Sequence, residues 1–324
     1  MKQLLESIFG KKIAITGASG YIGSALVDAL MKHSSKILRV SRQELVPKSG
    51  TQTLRADIST PDCWLSVVEN ADLIFHLAGN TSVYTADGDP AESLNSTLLP
   101  INHLVSAARK LGRKPRIVYT STATVYGLSE HFPIGESLEP DPITVYDLHK
   151  LFAERQLTLA TRQGLLKGIS LRLANVYGSS SSISSAKDRG VLNRVTALAL
   201  QGKDLTVYGD GNYLRDYVYI DDVVHALISA GLKEEENGVL NVATGRSIGL
   251  KDAFLLVAKE AKNAIGKNVH VRSAPWPDNT NPIEYRSFIA DISRLTDVFN
   301  CKPQISLEAG VSLMINSYIE VLNG

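Results

Sequence analysis

The segment Gly17-Ala18-Ser19-Gly20-Tyr21-Ile22-Gly23 constrains this chain more than any other. It follows KIAIT (12–16), a short apolar run that reads as a buried parallel strand. It opens into YIGSALVDALMK (21–32), where apolar residues recur at helical spacing. A GxxGxxG turn between a strand and a helix makes specific demands. The first glycine forms a tight turn, the second lets a pyrophosphate approach the backbone, and the third lets the helix pack closely on the strand. The phosphates then sit at the helix N-terminus, where N–H groups and the helix dipole favour negative charge. The turn therefore predicts a dinucleotide site, and its setting disfavours a turn without a ligand.

The pattern continues as alternating strands and helices. Apolar runs at 37–40, 53–58, 73–79 and 116–122 read as strands, with helical stretches between them such as 91–110. A helix over 144–163 and a strand over 168–173 follow. The expected fold is α/β: a Rossmann-type doubly wound parallel sheet with a smaller C-terminal α/β substrate domain. Length supports this, since 324 residues are many for one compact core. The expected division is 1–173 for the NAD(P)-binding domain and 174–324 for a mainly substrate-binding part, partly interleaved with the sheet. Its short strands lie at 205–209, 239–243 and 268–273, and its helices near 190–201, 222–231, 250–264 and 306–322. The polar run SSSSISS (179–185) reads as a loop over a site.

Several function classes are excluded. A net charge of +1 supplies no global attraction to nucleic acid or an anionic membrane. No apolar run reaches the ~20 residues of a membrane span. The N-terminal dodecamer MKQLLESIFGKK is too interrupted for a signal peptide. Cys63 and Cys301 lie far apart, without a CxxC motif, so neither a disulfide framework nor a metal site is expected. The expected location is cytoplasmic.

Two further features specify chemistry. The second strand ends near Val40, where an acid would bind the ribose 2′-OH of NAD. Ser41 and Arg42 stand there instead, and a hydroxyl with a guanidinium would accept a 2′-phosphate. The cofactor expectation is NAD(P), with NADP favoured over NAD; Glu44 is the acid that would reverse this if the loop turned differently. The second feature is Tyr146-x-x-x-Lys150. Residues four apart share a helix face, so both polar heads can reach one site. A free tyrosine has a pKa of about 10. A nearby ammonium favours the phenolate and makes it a usable base. Thr120-Ser121-Thr122 would end a strand at the sheet's C-terminal edge, where a hydroxyl can orient a reacting oxygen; strand-end capping is the bland alternative.

GASGYIG (17–23), HLAG (76–79), STATVYG (121–127), YDLHK (146–150), RDYVYIDDV (215–223) and ADISR (290–294) together resemble the extended short-chain dehydrogenase/reductase family. Within it they resemble the nucleotide-sugar epimerases, dehydratases and reductases. The resemblance covers nearly the whole chain. It implies Tyr146 as general acid/base, Lys150 as the residue that holds the nicotinamide ribose and lowers the tyrosine pKa, and Thr122 as the catalytic hydroxyl. It implies cofactor contacts from Gly17, Ser19, Gly20, Tyr21, Ile22 and Gly23, from Asp57 and Ile58 beside the adenine, and from Leu77, Ala78, Gly79 and Thr120. Asn175 and Arg215 would meet the substrate diphosphate, with Arg286 as a second phosphate candidate. A homodimer built on helices 91–110 and 144–163 is also implied.

Departures from the family pattern narrow the reaction. Gly79 replaces the usual alanine. Pro100 falls inside the expected helix 91–110 and would kink it. Ala123-Thr124 stand where 4,6-dehydratases carry an Asp-Glu pair, so dehydration is not expected. The leading reading is a nucleotide-sugar epimerase working through a 4-keto intermediate. Ser41-Arg42 keeps open an NADPH-dependent 4-keto-6-deoxysugar reductase. A non-catalytic NAD(P)-binding regulatory protein is the third reading, and the retained Tyr146, Lys150 and Thr122 argue against it.

Overall fold

Seven parallel strands form the central sheet of the computed structural model, which describes residues 8–32, 36–179 and 190–323. They are β1 (Ile13–Thr16), β2 (Ile37–Ser41), β3 (Thr51–Arg55), β4 (Leu73–His76), β5 (Arg116–Thr122), β6 (Lys167–Leu173) and, from far along the chain, the edge strand β11 (Gly238–Val242). The spatial order is β11-β6-β5-β4-β1-β2-β3. The order reverses between β1 and β4, and a crevice opens at the carboxyl ends of the strands there.

Among the described residues, ten α-helices accompany the sheet: α1 (Tyr21–Met31), α2 (Pro61–Asn70), α3 (Val83–Gly88), α4 (Pro90–Thr97), α5 (Leu99–Leu111), α6 (Val145–Arg162), α7 (Val191–Leu200), α8 (Ile220–Leu232), α9 (Leu250–Ile265) and α10 (Leu307–Asn323). Strand alternation decides which helix packs where. Ile13, Ile15, Phe75 and Val118 face α1 and α8 through Leu26, Val27, Val223 and Leu227. Ala14, Ile74 and Ile117 face the other way, onto Trp64 of α2, Leu104 of α5 and Leu157 of α6. A third apolar cluster joins α7, α9 and α10 through Val195, Phe254, Val257 and Met314. Among the described residues, the C-terminal region adds three two-stranded pairings: β7 (Asn175–Tyr177) with β10 (Tyr217–Tyr219), β9 (Leu214–Arg215) with β12 (Ile248–Gly249), and β8 (Leu205–Tyr208) with β13 (Val271–Ala274).

Two expectations change. The helix expected over 91–110 is two helices, α4 and α5, parted at Leu98. Pro100 sits in the first turn of α5, where its missing N–H has no intrahelical partner to lose, so it starts a helix and kinks none. The third strand ends at Arg55 and does not extend to 58. Asp57 turns the chain instead, accepting from Ser59 N–H and Ser59 Oγ at 2.9 Å each. The serine-rich segment lies outside the described residues from position 180 on.

Candidate active site

The glycine turn adopts the geometry its sequence demands. Gly17 has φ +70°, in the left-handed region, and a Cβ there would lie 2.8 Å from Ala78 N. A Cβ on Gly23 would lie 2.1 Å from Gly17 O, so only glycine lets α1 start against the turn. The first bond of this helix runs from Ser24 N–H to Gly20 O at 2.9 Å, which leaves an open first turn facing the crevice. Opposite it, Thr16 Oγ1 lies 2.7 Å from His76 Nδ1 and accepts from Ala78 N–H at 3.3 Å. His76 is wholly buried, and burial, aided by Lys150, pushes its pKa down to about 3. A neutral imidazole thus pins the exit of β4 to β1 and sets the position of Ala78.

Between these walls lies a cleft of about 1020 Å³. Of the expected cofactor contacts, Gly17, Ser19, Gly20, Ser41, Arg42, Asp57, Ile58, Leu77, Ala78 and Gly79 line it. The volume and the glycine cradle fit a dinucleotide. Ser19 Oγ lies 3.3 Å from Ser41 Oγ, joining the turn to the end of β2. Arg42 lines the cleft; Gln43 does too, but Glu44 does not. Backbone hydrogen bonding from Ser59, with smaller help from the Arg42 charge, holds the Asp57 carboxyl below its ordinary range. Tyr21 and Ile22 contribute no side chain to the cleft. Tyr21 Oη donates to Gly178 O at 2.8 Å, and Ile22 packs into the core.

The proposed catalytic pair sits beside this cleft. Lys150 is buried, and its Nζ donates to Thr120 O at 2.9 Å. Thr120 therefore meets the site through its carbonyl, while its hydroxyl donates to His76 O at 3.4 Å. A Cβ on Gly79 would lie 3.7 Å from Lys150 Nζ, so the ammonium stands against the cleft wall. Lys150 Nζ also lies 5.9 Å from the centroid of the half-buried Tyr146 ring and 4.9 Å from that of Tyr119. Burial pushes the Lys150 pKa down to about 8, against an upward pull from Glu154. Of the two candidate hydroxyls, Ser121 Oγ is buried with no hydrogen-bond partner among the described residues, whereas Thr122 is half-buried and caps the turn at Ala123–Tyr126.

The expected substrate residues come from three separate elements. Asn175 opens β7, and its N–H donates to Asp216 O at 3.0 Å. Arg215 is buried; it donates to Leu214 O at 3.1 Å, Glu284 O at 2.7 Å and Arg286 O. Arg286 donates to Ile283 O at 2.9 Å. Burial lowers the pKa of both guanidinium groups, Arg215 to about 10, and the Arg286 charge depresses Arg215 further. Arg286 also feels Asp147 and Tyr146, so it stands near the proposed catalytic tyrosine.

Three residues beside the pair carried no assignment from sequence. Glu154 forms a fork with Arg172, at 3.1 and 3.2 Å to Nε and 2.7 Å to Nη2, with both side chains at most 3% exposed. The Arg172 guanidinium lies 4.7 Å from the Tyr126 ring centroid. The third is Asp147, fully buried one residue after Tyr146. A Lys-x-x-x-Glu spacing was the available signal for Glu154; the YDLHK motif itself contained Asp147.

The model of the NAD-dependent epimerase/dehydratase family matches residues 13–243, more than half the chain. The chain is 28% identical over 318 residues to a UDP-glucose 4-epimerase of Mycolicibacterium smegmatis, covering 94% of this chain and 97% of that protein. It is 28% identical over 329 residues to UDP-glucuronic acid decarboxylase 3 of Arabidopsis thaliana, covering 96% and 90%. Among solved structures, a UDP-glucose 4-epimerase of Thermotoga maritima with UDP-glucose superposes with TM-score 0.83 at 28% identity, covering 96% of this chain and 99% of that one. These similarities accord with the Rossmann-type sheet and with the order of the motifs along it.

Proposed function

This chain belongs to the NAD-dependent epimerase/dehydratase family, and on that premise we propose that it is a nucleotide-sugar 4-epimerase. The observation that carries this reading is Lys150, buried against the cleft wall and within 5.9 Å of the Tyr146 ring, with Ala123 and Thr124 in place of an acid–base pair. A nicotinamide cofactor held in the cleft by Gly17, Gly20 and Ala78 would supply reversible hydride transfer at C4 of the sugar. Tyr146 takes the proton of the C4 hydroxyl as the hydride leaves and gives it back on return. Lys150 favours the phenolate and holds the cofactor ribose. Thr122 orients the C4 oxygen. Among the described residues, Arg215 and Arg286 form no ion pair with a carboxylate, and their charges repel. A diphosphate between them relieves that repulsion, and Asn175 adds a contact from β7. Residues 1–173 would thus supply most of the cofactor site, and those from 174 on most of the sugar site.

The cofactor is NAD or NADP, and we favour NADP, because Arg42 lines the cleft at the end of β2 while Glu44 stays out of it. Arg42→Ala is expected to weaken NADP binding by about tenfold or more, the loss of one charge-assisted hydrogen bond, and to leave NAD binding unchanged. Isothermal titration with both dinucleotides measures this, and unchanged NADP affinity refutes it. The same arginine supports the second reading, a 4-keto-6-deoxysugar reductase, which would consume NADPH. Incubation with UDP-glucose or UDP-GlcNAc separates the two. Product formed without net NADPH oxidation supports epimerisation. Stoichiometric NADPH loss with a 4-keto sugar, and no action on UDP-glucose or UDP-GlcNAc, supports the reductase. Phe152 and Leu159 on α6 and Leu111 on α5 are exposed, and we take this face as the contact of a homodimer.

A further inference from the structure

The mechanism above leaves Asp147 unused, although it is fully buried and follows the proposed base directly. One carboxyl oxygen has a structural task. Thr144, the N-cap of α6, accepts from Asp147 N–H at 3.1 Å and donates through Oγ1 to Asp147 Oδ2 at 2.7 Å. That reciprocal pair resembles a capping box and needs only Oδ2. The other oxygen, Oδ1, accepts a hydrogen bond from Thr124 Oγ1. Thr124 Oγ1 is in turn 2.7 Å from Thr122 Oγ1, and Thr124 N–H donates to Thr122 Oγ1 at 3.2 Å. A continuous line of oxygens therefore runs from a buried carboxyl to the hydroxyl assigned to the sugar's C4 oxygen.

Each hydroxyl carries one proton, and this fixes the direction of the line. With Asp147 ionised, the Thr124 proton is committed to the carboxylate. The contact between the two threonines then requires Thr122 to donate to Thr124. Thr122 has no proton left and presents a lone pair to the site. With one proton on Asp147 Oδ1, every bond reverses. The acid donates to Thr124, Thr124 donates to Thr122, and the Thr122 proton is released toward the site.

We propose that Asp147 is a positioning residue that sets the polarity of the Thr122 hydroxyl: an acceptor suited to a sugar alcohol when Asp147 is ionised, a donor suited to a sugar ketone when it is protonated. The proposal rests on the sugar reading only for the ligand that Thr122 meets. The groups facing the carboxyl pull in opposite directions. Arg286, following the turn at 282–285, favours the ion. Asp87 of α3, which accepts from Val145 N–H at 3.0 Å, opposes it, and the Tyr146 phenol precedes it in the chain. Burial is the largest influence and holds the carboxyl above its ordinary range.

The test uses the full-length protein in two complexes that cannot turn over: UDP-glucose with reduced cofactor, and UDP-4-keto-6-deoxyglucose with oxidised cofactor. Isothermal titration between about pH 5 and pH 8 is expected to show opposite slopes. As pH falls, the ketone binds about five- to tenfold tighter and the alcohol correspondingly weaker, the worth of one hydrogen bond gained or lost. Thr124→Val breaks the line while leaving Asp147 and its cap intact, and is expected to abolish the opposition; Thr124→Ser restores it. Opposite slopes that persist in Thr124→Val, or equal slopes for both ligands in the wild type, overturn the proposal. If neither sugar binds, the sugar reading fails by itself, and the line is then read from the ¹³C carboxyl titration of Asp147. Thr122→Val, which does not touch the carboxyl, is expected to raise the midpoint through the weakened Thr124 bond; an unmoved midpoint overturns the polarity claim.

Discussion

Tyr146→Phe is expected to lower kcat by about 10²- to 10⁴-fold, the usual worth of a positioned general acid/base. The substitution removes one oxygen and keeps the ring that lies 5.9 Å from the Lys150 ammonium. The ring contact with Lys150 is kept, and dinucleotide affinity is expected to match the wild type. Steady-state assays on the sugar that the wild type converts, beside dinucleotide titration of the same preparations, measure both halves. The combination matters. A fall in kcat accompanied by lost cofactor binding would mean a damaged cleft and would not bear on proton transfer. Full turnover with the phenyl ring would remove Tyr146 from the chemistry and with it the central claim of the proposed function.

Glu154→Gln is expected to be the most damaging conservative change to stability. Glu154 and Arg172 are buried together, joined at 2.7–3.2 Å through a two-pronged fork. Neutralising one partner strands the other charge in a medium that solvates it poorly, at a cost of about 3–5 kcal/mol. Equilibrium unfolding in urea measures this, and the double variant Glu154→Gln/Arg172→Met is expected to recover most of the loss, because no charge is then left behind. A second consequence reaches the site. Glu154 lies one helical turn beyond Lys150 and holds up its pKa, which burial has already brought down to about 8. Without that carboxylate the pKa falls further. Activity that depends on the charged ammonium is lost as pH rises through this pKa, so the alkaline limb of the pH–rate profile moves to lower pH in Glu154→Gln. An unmoved limb would show that Lys150 does not act as a cation in turnover.

The parts of the site that were legible in the sequence share a physical property: each is set by contacts within a few residues. The turn at 17–23 must be glycine at Gly17 because φ is positive, and at Gly23 because Gly17 O lies where a Cβ would be. Tyr146 and Lys150 share a helix face because their spacing is one turn. Strand β5 ends at Thr122 as its composition indicates. Proline at position 100 shows the limit of such reading. Its effect depends on whether it stands inside a helix or at its start, and Leu98, where α4 gives way to α5, decided that.

What depended on distant parts of the chain was hidden. Lys150 owes its position to Thr120 O, thirty residues earlier, and its lowered pKa to burial under a sheet that no local pattern describes. Arg172 reads in sequence as a charged residue in an apolar strand, and only its pairing with Glu154 explains it. Asp147 was visible inside the YDLHK motif, but its bond to Thr124 crosses between two elements that the sequence separates by some twenty residues.

By itself, then, the sequence determined a strand, a glycine turn and a helix over 13–31, and the placing of Tyr146 and Lys150 on one helix face. Both follow from backbone sterics and helical periodicity, which act over one to seven residues, whereas the meaning of Ala123-Thr124 came only from the family resemblance. The tertiary structure decided how deeply Lys150 is buried, that Asp147 meets Thr124, and that the last strand of the sheet arrives from Gly238–Val242. Burial and hydrogen-bond partners are properties of packed surfaces, and chain segments meet in such surfaces only after the whole fold has closed.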